Sequence, residues 1–398
     1  MKLQLLLQRE DFITIFKNSF SNYLLNNFGW YGEINWISKS NRLKENYFLV
    51  NQRLNLIYPC NLDRAFLNSL KKEYVYHKNP FRHTLQKLYA KMATFLPLES
   101  ILSTSVIEIN PWLEELENWC ILPGNHSIRV INFKKNSCEV FLKKGFNPIF
   151  IKNEIKLRSK FVHRSIPKLI DYDIENGHYT EEKIEGLPLN RFINQKQKSI
   201  AFRDSFDCLS KLYNKTRNTI DLQEWLCVLI KKFTSIESEV HDNKSDKLWS
   251  NVYEIYYKLR SIIERNGNLE ISTTITHGDF QPANILRNFK NCNTYLIDWE
   301  YSDRRYELYD YFVYCYQTRF PRGLAKRLKN RNLNYEKCNS FSLLFDKFFN
   351  NMDKCILAIL LFEDLLVRLG EIYVPSNSEN NFGLMIFINE VGDFLKHE

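Results

Sequence analysis

The sequence has no Cys-x-x-Cys pair and no regular cysteine spacing, although nine cysteines are scattered along it. An odd, unpatterned set of thiols argues against a disulfide framework and against a structural zinc site, and it suits a reducing compartment. Nor is there an apolar run of membrane length. Cys355 to Leu361 is apolar, but Glu363 and Asp364 follow at once, far short of the roughly 20 residues that span a bilayer. That run reads as a buried helix. The stretch from Met1 to Asp11 is too short in apolar residues, and too charged at Lys2, Arg9, Glu10 and Asp11, for a secretory signal. No stripe of alternating basic and aromatic residues is present, and no nucleic-acid reading motif, so nucleic acid is not an expected partner. The triplets at Asn125, Asn214 and Asn243 have the form of glycosylation sites, but an Asn-rich chain produces such triplets by accident. The expected location is the cytoplasm.

What is present is a chain of 398 residues, 44% hydrophobic, long enough for two or three domains with sizeable cores. Its net charge of +9 is unevenly placed: residues 1 to 105 hold 14 Lys and Arg against 7 Asp and Glu, while the remainder is nearly balanced. Within that basic segment Asn79-Pro80 opens a helix. Phe81, Leu85, Leu88, Met92 and Phe95 or Leu96 share one face, with Arg82, Lys87 and Lys91 elsewhere. The apolar face of this basic amphipathic helix is expected to dock on the protein itself. Peripheral attachment to the inner face of a membrane, or to an acidic partner, is the alternative.

The densest chemistry lies at His277-Gly278-Asp279-Phe280-Gln281-Pro282-Ala283-Asn284, followed by Asp298-Trp299-Glu300. Transfer of the γ-phosphoryl group of ATP to a hydroxyl needs a carboxylate beside that hydroxyl and further oxygen ligands that hold Mg²⁺ against the phosphates. In the protein-kinase pattern an Asp takes the first role, and an Asn five residues later binds metal, as Asp279 and Asn284 are spaced. A second Asp after a short hairpin completes the metal site; Asp298 follows the apolar strand Tyr295-Leu296-Ile297. These hard oxygen ligands suit Mg²⁺.

Two departures from the protein-kinase pattern refine this reading. Gly278 stands where those kinases carry Arg, and Asp298-Trp299-Glu300 replaces Asp-Phe-Gly. With both, the sequence resembles the aminoglycoside phosphotransferase and choline kinase-like family over about residues 115 to 320. The resemblance implies an α+β, two-lobed protein-kinase-like fold, with a small antiparallel sheet lobe at 111–186 and a mostly helical lobe at 187–398; residues 1–110, which it does not cover, read as a mixed, largely helical N-terminal extension. It implies ATP and Mg²⁺ as cofactors and a small-molecule hydroxyl acceptor: a sugar, amino alcohol or glycan precursor. A protein Ser/Thr kinase is the second reading, weakened by the missing Arg and by the lack of an Ala-Pro-Glu segment. A nucleotide-binding pseudokinase scaffold is the third.

The upstream half of such a site reads as a meander: strands at Trp119–Leu122, Ile128–Phe133 and Cys138–Lys143. By resemblance the turn Gly124, Asn125, Ser127 lies over the phosphates and Lys143 contacts them, with Lys144 the neighbouring alternative because adjacent strand residues face opposite ways. Asn147-Pro148 opens a helix bearing Glu154, which by resemblance pairs with the cleft lysine. Two further strands, at 166–172 and 177–182, lead into a linker, Glu182 to Gly186, whose backbone is expected to meet adenine at Glu182 and Ile184. Glu181 and Glu182 are expected to be exposed.

Downstream, Phe202, Phe206, Leu209 and Tyr213 form a core helical stripe, as do the apolar positions from Trp225 to Phe233 and from Trp249 to Leu259. Asp310, together with His277, matches a structural brace for the loop that carries Asp279. Glu300, Arg304 and Arg305 lie in a polar loop as candidates for acceptor recognition, and Asp204, Asp207, Asp221, Glu224 and Trp225 are candidates from the helical part.

Overall fold

The computed structural model describes residues 3–38, 46–63, 66, 80–95, 102–191, 194–240, 246–267, 269–288, 290–330, 353–372 and 379–396. They fall into two compact units, Met1–Lys198 with Leu286–Ile297, and Ser199–Ile285 with Asp298–Glu398.

The first unit is organised by a nine-stranded antiparallel sheet. The meander expected at 119–143 is there as β5 (Trp119–Pro123), β6 (Ser127–Asn132) and β7 (Ser137–Leu142), followed by β8 (Leu169–Asp173) and β9 (His178–Glu182). The basic N-terminal segment extends this sheet, with β1 (Glu33–Ile37), β2 (Tyr47–Asn51), β3 (Leu56–Pro59) and β4 (Ser105–Asn110) in the order β1-β4-β2-β3-β5-β6-β7-β9-β8. Residues 1–110 therefore share a sheet with 111–186, joined where Ile57 pairs with Ile121. Strand alternation gives the sheet two apolar faces. Helices α1 (Leu3–Arg9) and α2 (Phe12–Phe28) cover one, packing Phe16, Phe20 and Tyr23 on Trp119, Val130 and Phe141. Helix α3 (Pro80–Ala93) and helix α4 (Ile149–Lys160) lie on the other, where Ala90, Ala93, Ile151 and Ile155 meet Tyr58, Val140 and Tyr179. Asn147 starts α4 by accepting the Ile149 N–H on its side-chain oxygen at 2.9 Å. A short sheet, β10 (Gly186–Pro188), β13 (Ile285–Asn288) and β14 (Thr294–Leu296), completes this unit.

The second unit is mostly helical, as the apolar stripes require: α5 (Gln195–Thr216), α6 (Leu222–Val240), α7 (Asp246–Glu264), α8 (Tyr309–Tyr316), α9 (Leu324–Lys329), α10 (Lys354–Ile372) and α11 (Glu379–Leu395). Its sheet is β11 (Asn218–Asp221), β12 (Glu270–Thr276) and β15 (Asp303–Tyr306), in that order. Strand β15 occupies the stretch that reads as a polar loop. Alternation there is hidden, because Arg304 and Arg305 supply no apolar signal. No helix among the described residues is long and apolar enough to cross a membrane.

Candidate active site

Strand β12 delivers the chain to His277, where the loop turns sharply on two supports. Asp310, fully buried at the start of α8, accepts the N–H of His277 at 2.7 Å, the N–H of Gly278 at 2.8 Å and the Tyr213 hydroxyl at 2.6 Å. A buried carboxylate that accepts three hydrogen bonds fixes the loop backbone. The second support is steric. Gly278 has φ +84°, and a Cβ there would collide with the Tyr301 carbonyl oxygen. Only glycine combines that backbone conformation with that approach. The absence of the protein-kinase Arg is thus a packing requirement of this chain.

Asp279 follows with its carboxylate held on both oxygens. Oδ2 accepts from Asn284 Nδ2 at 2.8 Å and from Gln281 Nε2 at 2.8 Å; Asn284 Nδ2 also donates to the Asp279 carbonyl at 2.9 Å. Oδ1 accepts from Arg319 Nε at 2.8 Å, and Arg319 also donates to the Gly278 carbonyl. A carboxylate offers about four acceptor positions, two per oxygen, so among the described residues one remains on Oδ1. Sequence reading missed Arg319, which sits 40 residues from its partner in no recognisable motif. Burial opposes the charge of Arg319, but Tyr309, Asp364 and Asp279 around it hold its pKa well above the usual value.

Asn284 precedes β13 and Asp298 follows β14. The Asn288 N–H donates to the Asn293 carbonyl at 2.9 Å, closing this hairpin so that Asn284 and Asp298 leave from its open end. Asp298 takes a left-handed conformation, φ +71° and ψ +57°, in which an Asp costs less than a branched residue. With its amide nitrogen committed to Asp279, Asn284 has its Oδ1 turned the other way as an oxygen donor. Among the described residues no group of three or more His, Cys, Asp or Glu side chains gathers as a metal site. An Asn side-chain oxygen and an Asp carboxylate are hard donors of the kind Mg²⁺ takes, its remaining positions being filled by water and substrate phosphates.

Other expectations are corrected. Lys143 is fully buried on the α1 and α2 side of the sheet, where its Nζ meets Glu10 Oε1 at 2.6 Å and the Asn125 carbonyl at 2.9 Å. Glu154 does not pair with it. On the opposite face Glu154 binds Arg158 at 2.9 Å, and Arg158 binds Glu181 at 2.7 Å. Glu181 is accordingly buried, not exposed, and an ion pair makes that burial tolerable. Lys144 is exposed. Gly124 closes its own turn: a Cβ there would lie 2.7 Å from the Ser127 carbonyl oxygen. Beneath that turn His126 is pushed down to about 3 by burial, then by Lys143 and Arg9, so it is neutral. The Glu182 N–H is taken by the Lys168 carbonyl at 3.0 Å, and Ile184 is half-buried.

Arg304 and Arg305 build the fold. Arg304 donates to the carbonyls of Thr273 and Thr216, and Arg305 to Thr276 Oγ1 at 2.8 Å with its guanidinium over Tyr309. Asp221 caps α6 through the N–H of Gln223, Asp207 pairs with Lys211, and Trp225 is buried with its indole N–H on Glu363. Glu300 stays half-buried on the turn after Asp298.

A comparison with family models now bears on this geometry. Residues 166–341 match the model of the phosphotransferase enzyme family. No curated protein matches the sequence. Among solved structures, the choline kinase LicA of Streptococcus pneumoniae is similar at 15% identity, covering 72% of this chain and 92% of that one, with a TM-score of 0.45. The ethanolamine kinase of Plasmodium vivax is similar at 16% identity over 83% and 95%, TM-score 0.45. A thermostable aminoglycoside phosphotransferase APH(4)-Ia in complex with AMP-PNP and hygromycin B gives 12% over 70% and 93%, TM-score 0.46.

Proposed function

We propose that the protein is an ATP- and Mg²⁺-dependent phosphotransferase that moves the γ-phosphoryl group to a hydroxyl of a small molecule: a sugar, amino alcohol or glycan precursor. The observation that carries this reading is the Asp279 carboxylate, pinned through Asn284, Gln281 and Arg319 on a loop braced by Asp310, with one acceptor position left on Oδ1. Asp279 Oδ1 receives the acceptor hydroxyl and takes its proton as the oxygen attacks the γ-phosphorus, whose bond to the β–γ bridging oxygen breaks so that ADP leaves with that electron pair. Asn284 Oδ1 and Asp298 would hold Mg²⁺, which when bound offsets charge on the phosphoryl oxygens. The remaining contribution of the loop is orientation: its dipoles and charges are fixed before the reaction, so no reorganisation is needed during it. The packing of Gly278 against Tyr301 supports a permanently assembled loop over one awaiting a phosphorylated activation segment.

Replacing Asp279 with Asn tests the proposal. Nucleotide binding, followed by calorimetry, is expected to persist while phosphoryl transfer to every acceptor in a metabolite panel is lost. Full turnover in that variant would remove Asp279 from the reaction.

A further inference from the structure

Helix α3 sits on the protein the wrong way round for an ordinary amphipathic helix. Small residues form its docked face: Ala90 is 1% exposed, Ala93 0% and Thr94, in the turn that follows, 4%. Its large apolar residues point away, with Phe81 71% exposed, Leu85 49%, Leu88 53%, Met92 40% and Phe95 58%. At 100° per residue this stripe lies opposite the docked face, the reverse of the usual burial pattern. The sequence expectation that it docks on the protein itself is therefore corrected. These five are a third of the fifteen large apolar side chains exposed among the described residues, which makes a concentrated patch of what would otherwise be scattered single residues.

The charges flanking the stripe identify what it meets. Lys87 and Lys91 lie beside it, both exposed, and the helix contains no Asp or Glu. Two copies of the chain joined stripe to stripe would press like charges together at the rim. An anionic lipid surface complements both features, taking the apolar stripe below its phosphates and the cations among them. The surplus of basic over acidic residues in positions 1 to 105 acts in the same direction. We infer that α3 is an in-plane anchor for an anionic lipid bilayer, seating the protein on the membrane surface.

The test is co-sedimentation of the protein with vesicles of phosphatidylcholine, alone or mixed with phosphatidylserine, at low and physiological salt. Binding is expected to the mixed vesicles, weakening with salt. It should fall about tenfold or more for Leu88→Glu with Met92→Glu, and for Lys87→Glu with Lys91→Glu. All four side chains are exposed, so melting temperatures should match the parent. An independent readout is Phe95→Trp, whose indole emission should shift to the blue on mixed vesicles. The inference is overturned if the protein stays in the supernatant, if the Leu88/Met92 pair changes nothing, or if the indole emission of the Phe95→Trp variant does not move. Concentration-dependent self-association abolished by the same pair would assign the stripe to a second copy and overturn it equally.

Discussion

The guanidinium of Arg319 lies between Asp279 and Asp364, donating Nε to Asp279 Oδ1 at 2.8 Å and Nη1 to Asp364 Oδ1 at 3.4 Å. It ties the loop after β12 to helix α10, where Arg368 holds the other Asp364 oxygen at 3.0 Å. A planar, permanently charged fork suits this bridging role better than an ammonium does. In the proposed reaction Arg319 touches no substrate; it fixes the orientation of the carboxylate that does. Arg319→Ala should lower kcat about 10- to 100-fold, on the order of 1.4 to 3 kcal/mol, with the KM for ATP little changed. Arg319→Lys should recover part of the loss. Steady-state kinetics separate this from general unfolding, which would lower active enzyme without that rescue.

Gly278 makes a sharper steric prediction. Gly278→Ala adds a Cβ that meets the Tyr301 carbonyl in a left-handed backbone position. The cost should be about 2 to 4 kcal/mol, read as a lower midpoint in urea. Gly278→Arg, which restores the protein-kinase residue, should be worse still, whereas a small loss would mean that the loop readily moves off Tyr301.

Stability should fall with rising pH in the acid-to-neutral range, through Glu363. Burial lifts its pKa from 4.5 to about 7, even though the Tyr306 N–H and the Trp225 indole donate to Oε1; among the described residues Oε2 is buried without a partner. Between those two values the folded protein binds a proton that the unfolded chain releases. Stability is thus greatest below pH 4.5 as far as this group is concerned, and about 3 kcal/mol is lost by pH 7. Glu363→Gln keeps the acceptor for both donors and should remove this slope. Chemical denaturation of both proteins from about pH 5 to 8 should show the difference growing with pH; parallel curves would show that Glu363 does not titrate there.

Lys143 yields a prediction contrary to the family-based expectation. Buried against Glu10 and the Asn125 carbonyl, it acts as a structural cation. Lys143→Met should destabilise by about 3 to 5 kcal/mol by stranding the Glu10 carboxylate, and adding Glu10→Gln should restore much of that. The double variant should bind ATP within about threefold of the parent. A hundredfold loss of affinity would return Lys143 to the nucleotide.

Much of the fold and part of the site are legible in the residues alone. The strands β5 to β7 and β9, helix α4 with its Asn147 start, and the helical stripes lie within two residues of where periodicity places them. Asp279 and Asn284 stand out because their separation of 5 residues follows the protein-kinase pattern, and Asp310 through the family resemblance. Arg319, the pairing of Lys143 with Glu10 across 133 residues, and the Glu154–Arg158–Glu181 cluster are not. Each depends on which face of an element turns toward which neighbour, and charged side chains carry no periodic signal that reveals this.

The outward stripe of α3 shows the same division. Its amphipathic pattern is plain in the sequence, but the direction that pattern faces depends on Ala90 and Ala93 fitting the sheet more closely than Leu88 or Met92. Local spacing along the chain determined Asp279, its amide neighbour Asn284 and the helices around them, because bonded geometry and periodicity act over a few residues. Which cation holds Asp279, which carboxylate holds Lys143 and which side of α3 meets solvent were decided by tertiary packing. Close-packed neighbours, remote in sequence, settle those choices through shape and the cost of burying unpaired charge.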